Sequence, residues 1–266
     1  MIGLNYLGKL GQLGNQMFQY ATLIGVADAT STSFCIPNHN EIFDDGLGNK
    51  LRIELFECFD IKPDRIGYIP TNNNYQEKEF TFDSDIFKLE GDWNLIGFFQ
   101  TEKYFSHVSD RIRKEFTFHE WIREDCKPII EQFDNPIALH IRRGDYLINS
   151  GNHHNLSLKY YEKALKHFDE DRQVVIFTDD PEWALSNSLF DSDRFIVSEG
   201  NSSYHDLYMM TQCSDFITAN STYSWWGAWL ANRGRVIASN TWFGPNNAHK
   251  SIRDLYPEHW TILNYS

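Results

Sequence analysis

The densest group of reactive side chains in the sequence lies within residues 136–146, at the end of a short apolar run. The run is typical of a buried strand, and His140, Arg142, Arg143 and Asp145 follow closely at its end. Guanidinium groups are planar, remain charged and suit carboxylate or phosphate groups. Ligands of open α/β sheets bind at the carboxyl ends of strands. The pattern predicts an anion site here; the alternative is a strand end whose arginines pair with local acids.

Two further polar segments also follow predicted strands. Residues 178–180 (Thr-Asp-Asp) and residues 220–222 (Asn-Ser-Thr) each come directly after an apolar run. Because parallel strands end at one edge of a sheet, the three segments are expected to converge where a nucleotide normally lies. Carboxylates accept hydrogen bonds from ribose or purine N–H groups, and Ser or Thr at a helix N-terminus suits phosphate. The sequence lacks a Walker-type loop and a dinucleotide glycine fingerprint, which disfavours kinase-like and nicotinamide-dependent functions.

The second half of the chain alternates strands and helices, and these elements must position the three segments. The predicted strands are residues 137–141, 174–177, 195–197, 216–219 and, as the last, 236–238. Helices are predicted at residues 157–168 with Ser157 as N-cap, from Pro181 onward, at 204–213 and at 223–232. Strict alternation predicts an α/β fold with a doubly wound parallel sheet. A hinge at residues 132–136 divides the chain into predicted domains 1–134 and 135–266.

The first half opens with a strand, a glycine-rich turn and a helix. Residues 2–7 are the predicted strand, and residues 8–16 form the turn. Such a turn lets backbone N–H groups approach an anion, but tight strand–helix turns also use glycine for steric reasons, which is the preferred explanation. Asn15, just past the last glycine, favours a functional role. A strand is predicted at residues 33–36, before a weakly patterned region at residues 38–91. After that region, the predictions are a strand at 93–99 and one or two helices within 102–131.

Composition limits the partners. The chain has 24 basic and 37 acidic residues, a formal net charge of −13, so a general nucleic-acid surface is not expected. No signal peptide or membrane span is visible, which predicts a cytoplasmic protein and leaves peripheral contact with the inner membrane open. Four widely spaced cysteines are predicted to be buried thiols of a reducing compartment: Cys35, Cys58, Cys126 and Cys213.

A resident metal is not expected. Two Asp-Ser-Asp triplets, at residues 83–85 and 191–193, have a spacing that can hold a divalent ion, but neither follows a convincing strand, and loop carboxylates are usually solvated. The adjacent His153 and His154 lack a zinc-binding spacing. Three tryptophans at helical spacing are interpreted as core residues in preference to a sugar platform: Trp225, Trp226 and Trp229.

Three segments resemble motifs of the α-1,2-fucosyltransferases of glycosyltransferase family 11. They are residues 11–21 (Gly-Gln-Leu-Gly-Asn-Gln-Met-Phe-Gln-Tyr-Ala), 140–146 (His-Ile-Arg-Arg-Gly-Asp-Tyr) and 220–230 (Asn-Ser-Thr-Tyr-Ser-Trp-Trp-Gly-Ala-Trp-Leu), and they occur in family order. The resemblance implies a GT-B-like fold with two Rossmann-like domains. Because the polar strand ends all follow Pro136, the C-terminal domain is predicted to bind GDP-sugar and the N-terminal domain to lie on the acceptor side. The resemblance also implies transfer of L-fucose from GDP-β-L-fucose to the 2-hydroxyl of a terminal galactoside, with inversion and no required metal or other cofactor.

The resemblance further implies roles for individual residues. Arg142 would bind the β-phosphate and stabilise the leaving GDP, and His140 would contact the nucleotide. Asp206 would meet guanine or ribose, while Gly14 and Asn15 would lie near the phosphate or fucose of the donor. The remaining nucleotide-side candidates are Asp180 and, for phosphate oxygens, Ser221 and Thr222.

The resemblance leaves the general base open. Related α-1,6 enzymes carry a glutamate shortly after the arginine motif, whereas residues 146–154 contain no acid. Asp145 is predicted to hold Arg142 and Arg143 in position and not to act as the base. The catalytic candidates are therefore Arg142, Asp145 and Asn15. Two alternatives stay open: a non-catalytic protein that binds sugar nucleotides or glycans, and a glycosyltransferase that uses another nucleotide sugar.

Overall fold

A computed structural model describes residues 1–38, 41–44 and 50–265. The chain divides into two compact units. The first comprises Met1–His119 and Ser251–Pro257, and the second comprises Glu120–Lys250 and Glu258–Ser266. The predicted division after residue 134 therefore differs from the observed one, which places residues 120–134 in the second unit.

The first unit is an α/β layer built on short strands. In chain order it contains β1 (Ile2–Gly3), α1 (Leu13–Ala29), β2 (Phe34–Ile36), β3 (Phe43–Asp44), β4 (Lys50–Leu51), α2 (Leu55–Cys58), β5 (Arg65–Ile66), β6 (Asn74–Gln76), β7 (Trp93–Ile96) and α3 (Ser109–Glu115). Single turns of 3₁₀ helix cover Ser84–Lys88, Glu102–Tyr104 and Ser106–Val108. Five strands form a parallel sheet in the order β5-β2-β1-β7-β6, while β3 and β4 pair antiparallel.

The central helix of this unit is α1. Nearly every residue from Leu13 to Ala27 is buried, so the helix has no exposed polar face and is not amphipathic. Its polar side chains Gln16, Gln19 and Thr22 are buried as well. The predicted strand at residues 2–7 is shorter than expected, because the chain leaves β1 after Gly3 and enters a series of turns. These turns carry the chain to the start of α1.

The second unit has the more regular alternation. In chain order it contains α4 (Glu120–Ile130), β8 (Ile137–Ile141), α5 (Gly144–Ile148), α6 (Leu158–Leu165), β9 (Val174–Thr178), α7 (Pro181–Leu185), β10 (Phe195–Val197), α8 (Ser203–Gln212), β11 (Asp215–Ile217), α9 (Thr222–Ala231), β12 (Val236–Ser239) and β13 (Thr261–Leu263). Pro181 begins α7 as predicted, and Ser157 occupies the N-cap of α6 without a side-chain capping bond. Further 3₁₀ turns cover Ser188–Phe190 and Pro245–Asn247.

The sheet of the second unit is parallel and six-stranded, in the order β10-β9-β8-β11-β12-β13. The chain builds outward from β8 to β10 and then outward on the other side from β11 to β13, which confirms the doubly wound prediction. The prediction that residues 236–238 are the last strand was wrong, since β13 pairs with β12 beyond them. Thr261 and Ile262 in β13 are exposed, so the strand has no continuous apolar signal.

Helices cover both faces of this sheet. On one face, Ile137, Leu139 and Ile141 of β8 share an apolar core with Tyr160 and Tyr161 of α6. The opposite face of β9 lies against α8, where Met209 and Cys213 line a cavity together with Val175 and Phe177. Helix α4 packs on α8 through a buried face containing Ile122 and Cys126, which explains why α4 belongs to the second unit.

Residues 251–257 return to the first unit and are anchored there by Asp254. Its carboxylate accepts hydrogen bonds from Lys103 Nζ at 2.7 Å and from the Phe82 backbone N–H at 3.0 Å. The cysteines agree with the prediction of buried, unpaired thiols: Cys35, Cys58, Cys126 and Cys213. Among the helices described, none is both long and apolar enough to cross a membrane.

Candidate active site

The candidate site lies at the carboxyl edge of the second unit's sheet, where the strand order reverses between β8 and β11. Such a reversal opens a crevice beyond the strand ends, and ligands of doubly wound sheets bind there. The segment after β8 carries residues 142–145, and the segment after β11 carries residues 220–222. Two of the three polar segments predicted to converge therefore flank the crevice, while residues 178–180 follow β9, the next strand outward.

Arg142 is held by two carboxylates. Its Nη2 donates to Asp145 Oδ1 at 2.7 Å, and its Nη1 lies 2.9 Å from Asp179 Oδ2. The guanidinium carbon also lies 5.5 Å from the centre of the Tyr146 ring. Because a guanidinium has five N–H donors, these contacts set its direction and leave donors for a ligand. Asp145 therefore lies where it can hold the Arg142 guanidinium in position. Its assignment as a catalytic residue stays a prediction.

Asp179 follows β9 within the Thr-Asp-Asp segment, but the sequence pattern does not distinguish it from Asp180 as a site residue. Besides pairing with Arg142, its Oδ1 accepts the backbone N–H of Arg143 at 2.8 Å. Gly144 lies close enough that a Cβ there would come 2.6 Å from Asp179 Oδ2. The glycine of the motif therefore makes room for the carboxylate that fixes both arginines.

Arg143 has a different partner from the one expected. Its Nε donates to Asp180 Oδ2 at 2.9 Å, and its guanidinium lies 4.1 Å above the Trp183 ring. The prediction that Asp145 holds both arginines was therefore wrong for Arg143. Asp180 also caps α7 by accepting the Trp183 N–H at 3.2 Å, and the hydrogen bond from Arg143 lowers the pKa of its carboxyl. These contacts make Asp180 a positioning group for Arg143, and its predicted nucleotide contact stays a prediction.

The arginine cluster is not a patch of net positive charge. Two guanidiniums face three carboxylates: Asp145, Asp179 and Asp180. The alternative raised by the sequence, in which strand-end arginines pair with local acids, is therefore observed. An anion bound here must be recognised through the directions of individual N–H donors and through the neighbouring helix N-terminus.

His140 lies inside the crevice, one residue before the end of β8. Its side chain is buried, its ring centre is 5.4 Å from that of Tyr223, and its Nδ1 has no hydrogen-bond partner in the described part of the protein. Burial, reinforced by the charge of Arg142, lowers the pKa of His140 to about 3. The imidazole is therefore neutral at physiological pH. A neutral ring with an unpaired nitrogen suits contact with an uncharged group of a ligand.

The segment after β11 combines a buried amide with a helix N-terminus. Asn220 donates from Nδ2 to the carbonyls of His154 and Trp242, both at 2.8 Å, while its Oδ1 has no partner among the described residues. Ser221 is the N-cap of α9, and Thr222 is the first residue of the helix. The first N–H groups of a helix lack intrahelical partners and favour anions. The predicted phosphate contacts of Ser221 and Thr222 thus have suitable backbone geometry.

Asp206 lies in the first turn of α8, beyond the end of β10. Burial raises the pKa of its carboxyl to about 6, although the Ser198 hydroxyl donates to it at 2.6 Å. The starts of α8 and α9 are connected, because the Tyr223 hydroxyl donates to the Ser203 carbonyl. Asp206 therefore lies on the same side of the sheet as the α9 N-terminus, and its contact with guanine or ribose stays a prediction.

The glycine-rich turn of the first unit positions Asn15. Gly11 has a φ of +82°, and a Cβ there would lie 2.1 Å from Asn15 Nδ2, so only glycine fits. Asn15 Oδ1 accepts a hydrogen bond from Gln100 Nε2 at 2.8 Å. At the start of α1, the Leu13 N–H donates to the Glu54 carboxylate at 2.9 Å. The Glu54 carboxylate thus occupies this helix N-terminus as an anion from the chain itself. The predicted contacts of Gly14 and Asn15 with the phosphate or fucose of the donor substrate stay predictions.

The acidic triplet at residues 83–85 and the tryptophans of α9, which were not predicted to belong to the site, have structural roles. Asp83 caps a 3₁₀ turn and accepts the Tyr75 hydroxyl, and Asp85 pairs with Lys88. In the described ranges, no group of three or more His, Cys, Asp or Glu side chains is arranged to hold a metal. The tryptophans of α9 are buried and in mutual ring contact, which confirms the core interpretation: Trp225, Trp226 and Trp229.

Comparison with known proteins identifies the family to which this architecture belongs. The family model described as glycosyl transferase family 11 matches residues 2–264. The chain belongs to glycosyltransferase family 11. The family resemblance that the three motifs indicated is thereby confirmed, and the match extends over almost the whole chain.

Several curated proteins are similar to this chain in sequence. The O-antigen biosynthesis glycosyltransferase WbnK of Escherichia coli is 28% identical over 293 residues, covering 92% of this chain and 97% of that protein. An α-1,2-colitosyltransferase of Escherichia coli is 33% identical over 188 residues, covering 66% of this chain and 64% of that protein. Galactoside α-(1,2)-fucosyltransferase 1 of Alouatta caraya is 26% identical over 261 residues, covering 86% of this chain and 66% of that protein.

Solved structures show the same fold at low identity. The α-1,6-fucosyltransferase NodZ soaked with GDP-fucose has a TM-score of 0.55 at 13% identity, covering 90% of this chain and 94% of that chain. POFUT1 in complex with GDP-fucose has a TM-score of 0.52 at 13% identity, covering 87% of this chain and 94% of that chain. The fold is therefore GT-B-like, as the motif resemblance implied.

Proposed function

We propose that this family 11 chain is an inverting fucosyltransferase, which moves L-fucose from GDP-β-L-fucose to the 2-hydroxyl of a terminal galactoside in an α-1,2 linkage. Family membership supports the proposal, as does the relative named galactoside α-(1,2)-fucosyltransferase 1. The structural neighbours solved in complex with GDP-fucose or soaked with it also support this donor. Buried, unpaired cysteines agree with a reducing compartment, so we place the reaction in the cytoplasm.

The observation that carries the proposal is a pair of unsatisfied polar atoms at the strand-order reversal. His140 Nδ1 after β8 and Asn220 Oδ1 after β11 are both buried without a partner in the described part of the chain. An unpaired buried polar atom costs on the order of 1–3 kcal/mol. A nucleotide offers hydroxyl and N–H groups that would satisfy both atoms if its binding opens a path to them. Its phosphates would then lie towards Arg142 and the α9 N-terminus.

Arg142 would act mainly in the transition state. As the glycosidic bond breaks, negative charge grows on the departing diphosphate, while the fucosyl carbon becomes oxocarbenium-like. Asp145 and Asp179 hold the guanidinium in a fixed direction before substrate arrives. A preorganised donor of this kind stabilises the transition state more than the ground state. We propose that this arginine, and not a bound metal, neutralises the leaving group.

The two units would divide the substrates. We assign the donor to the second unit, which carries the arginine motif and the α9 N-terminus. We assign the acceptor to the first unit, near Asn15, whose amide is oriented by Gln100. The 2-hydroxyl of galactose would attack the face of the fucosyl carbon opposite the leaving GDP, which produces inversion.

One comparison supports colitose as an alternative sugar to fucose. The relative named α-1,2-colitosyltransferase has 33% identity to this chain over the matched residues. Colitose differs from fucose by the absence of the 3-hydroxyl. A site that hydrogen-bonds this hydroxyl rejects the deoxy sugar strongly, whereas an apolar pocket discriminates weakly.

The test is an acceptor array with GDP-fucose and, in parallel, the GDP-activated 3-deoxy sugar. We expect fucose transfer to galactose-terminated glycans, with an α-1,2 linkage in the product by NMR. Competition with GDP, UDP and CDP checks the nucleotide, and only GDP is expected to inhibit at low concentration. Binding of GDP-fucose without transfer to any galactoside would support a non-catalytic role instead. Faster transfer of the deoxy sugar would assign colitose as the donor.

A further inference from the structure

The loop after α5 presents a histidine that none of the roles above uses. The backbone N–H of His153 donates to the Asn149 carbonyl at 3.0 Å, and His153 forms an isolated antiparallel bridge with Phe243. On its C-terminal side, Asn220 Nδ2 holds the His154 carbonyl at 2.8 Å. Asn220 belongs to the β11 side of the crevice. The loop is therefore held on one side by a local turn and by Phe243, and on the other side by Asn220 of the candidate site.

The side chain of His153 stacks on the aromatic ring of the arginine motif. The ring centres of His153 and Tyr146 are 4.2 Å apart, and their planes differ by 13°. The Tyr146 hydroxyl donates to the Asn220 carbonyl at 3.0 Å, so this ring spans the crevice between the ends of β8 and β11. The Arg142 guanidinium lies over the same ring. His153 and the arginine that would grip the leaving group are thus positioned by one tyrosine.

The two neighbouring histidines differ in what their rings do. His154 Nε2 is paired with the Tyr265 hydroxyl at 3.0 Å. The half-buried ring of His153 makes no hydrogen bond to any described side chain or backbone group. His153 is therefore a preoriented imidazole whose nitrogens are not committed to any described group, and His154 provides a matched control.

His153 is also in the correct protonation state to accept a proton. Burial lowers its pKa, the Arg142 charge lowers it further, and the Asp145 charge opposes both. The Tyr146 hydroxyl is neutral, since burial raises its pKa. Residues 241–247, which bridge to the loop through Phe243, contain no ionisable side chain. The imidazole is thus neutral at pH 7, and the negative charge of a bound diphosphate would raise its pKa towards the working pH.

We propose that His153 is the general base that deprotonates the acceptor hydroxyl in the transfer proposed above, an inference that rests on that function. The acceptor oxygen forms a bond to the fucosyl anomeric carbon, and the bond from that carbon to the β-phosphate oxygen breaks. The electron pair of the broken bond leaves with GDP. The acceptor proton moves to the unprotonated nitrogen of His153, and the imidazolium then releases it to solvent.

Asp145, the carboxylate whose charge acts on this histidine, is already paired with Arg142. Asp145 accepts the Arg142 Nη2 hydrogen bond at 2.7 Å, which fixes the arginine. Protonation of Asp145 would remove the negative charge that holds the Arg142 guanidinium in position. A separate imidazole avoids that conflict, and a neutral histidine suits proton acceptance late in an oxocarbenium-like transition state.

The test compares wild type, His153→Gln and His154→Gln, with His153→Ala as a second variant. For His153→Gln we expect kcat at saturating donor to fall at least about 100-fold, the usual scale of a lost general base. The Kd for GDP should stay within about twofold, because the anion contacts are untouched. The acid limb of the kcat–pH profile should disappear in His153→Gln and persist in His154→Gln. Added imidazole should restore part of the activity of His153→Ala.

Three results would overturn the assignment. One is a kcat of His153→Gln within tenfold of wild type with the acid limb retained. Another is a rise in the Kd for GDP that matches the loss of kcat, which would make His153 a nucleotide-binding residue. The third is a folded His153→Ala that imidazole does not rescue. Wild-type protein assayed alongside separates the two proposals: if it transfers no fucose, the proposed function fails and this inference fails with it, whereas loss confined to the variants bears on His153 alone.

Discussion

Replacing His140 with Gln should flatten the dependence of stability on pH. In the native protein, burial lowers the pKa of His140 to about 3, whereas an unfolded histidine titrates near about 6.5. Below the unfolded value the unfolded state binds a proton that the native state does not, so the free energy of unfolding falls with pH. Between pH 7 and pH 5 the linkage relation gives a loss of about 2 kcal/mol from this residue. The loss is complete only when the pH reaches the native pKa.

Urea denaturation of wild type and His140→Gln at pH 7, 6 and 5 measures this quantity. The variant is expected to lose about 2 kcal/mol less than wild type over that range, whatever its stability at pH 7. His153 and His154, whose pKa values are also lowered by burial, are present in both proteins and cancel in the comparison. Equal losses in both proteins, within about 0.5 kcal/mol, would refute a neutral buried imidazole. Such a result would also remove the support that His140 gives to nucleotide binding.

Three further outcomes are expected. Arg142→Lys should fold normally but lose about 30-fold or more in kcat/KM, roughly 2 kcal/mol or more, because lysine lacks the planar fork; activity within tenfold of wild type would contradict the role of Arg142. Asp145→Asn should weaken GDP binding and lower kcat together, whereas Asp180→Asn should act more weakly through Arg143; in isothermal titration, unchanged GDP affinity with a collapsed kcat and a flattened pH profile would make Asp145 the base. Transfer should continue in excess chelator, and complete loss restored by Mg²⁺ or Mn²⁺ would overturn the assignment of leaving-group stabilisation to Arg142.

The sequence was most informative where local pattern decides structure. Apolar runs that end in polar groups located β8, β9 and β11, because the period and length of a buried strand are local properties. Pro181 at the start of α7 and the buried tryptophans of α9 were likewise predictable. The presence of Arg142 and residues 220–222 at one sheet edge followed from the rule that parallel strands share their carboxyl edge.

Features that depend on distant contacts were not predictable. β13 is a strand only because β12 offers an edge, and α4 joins the second unit because its buried face meets α8. The partners of the arginines were also beyond reach, since Asp145, Asp179 and Asp180 are similar candidates in sequence and only the β8–β9 register assigns each one. For His153 the signal was present, as an unassigned histidine shortly after the motif, but its stacking on Tyr146 depends on the fold of the loop.

The path of the chain has a consequence for protein engineering. Residues 251–257 leave the second unit for the first, and the chain returns with β13 and Tyr265, whose ring belongs to the apolar core of the second unit. A hybrid made by joining two relatives at one point would therefore separate β12 from its own neighbouring strand, or Asp254 from Lys103. Exchanging the halves cleanly requires three junctions, near residues 119, 250 and 257. Shortening the chain before β13 would expose the β12 edge and invite aggregation.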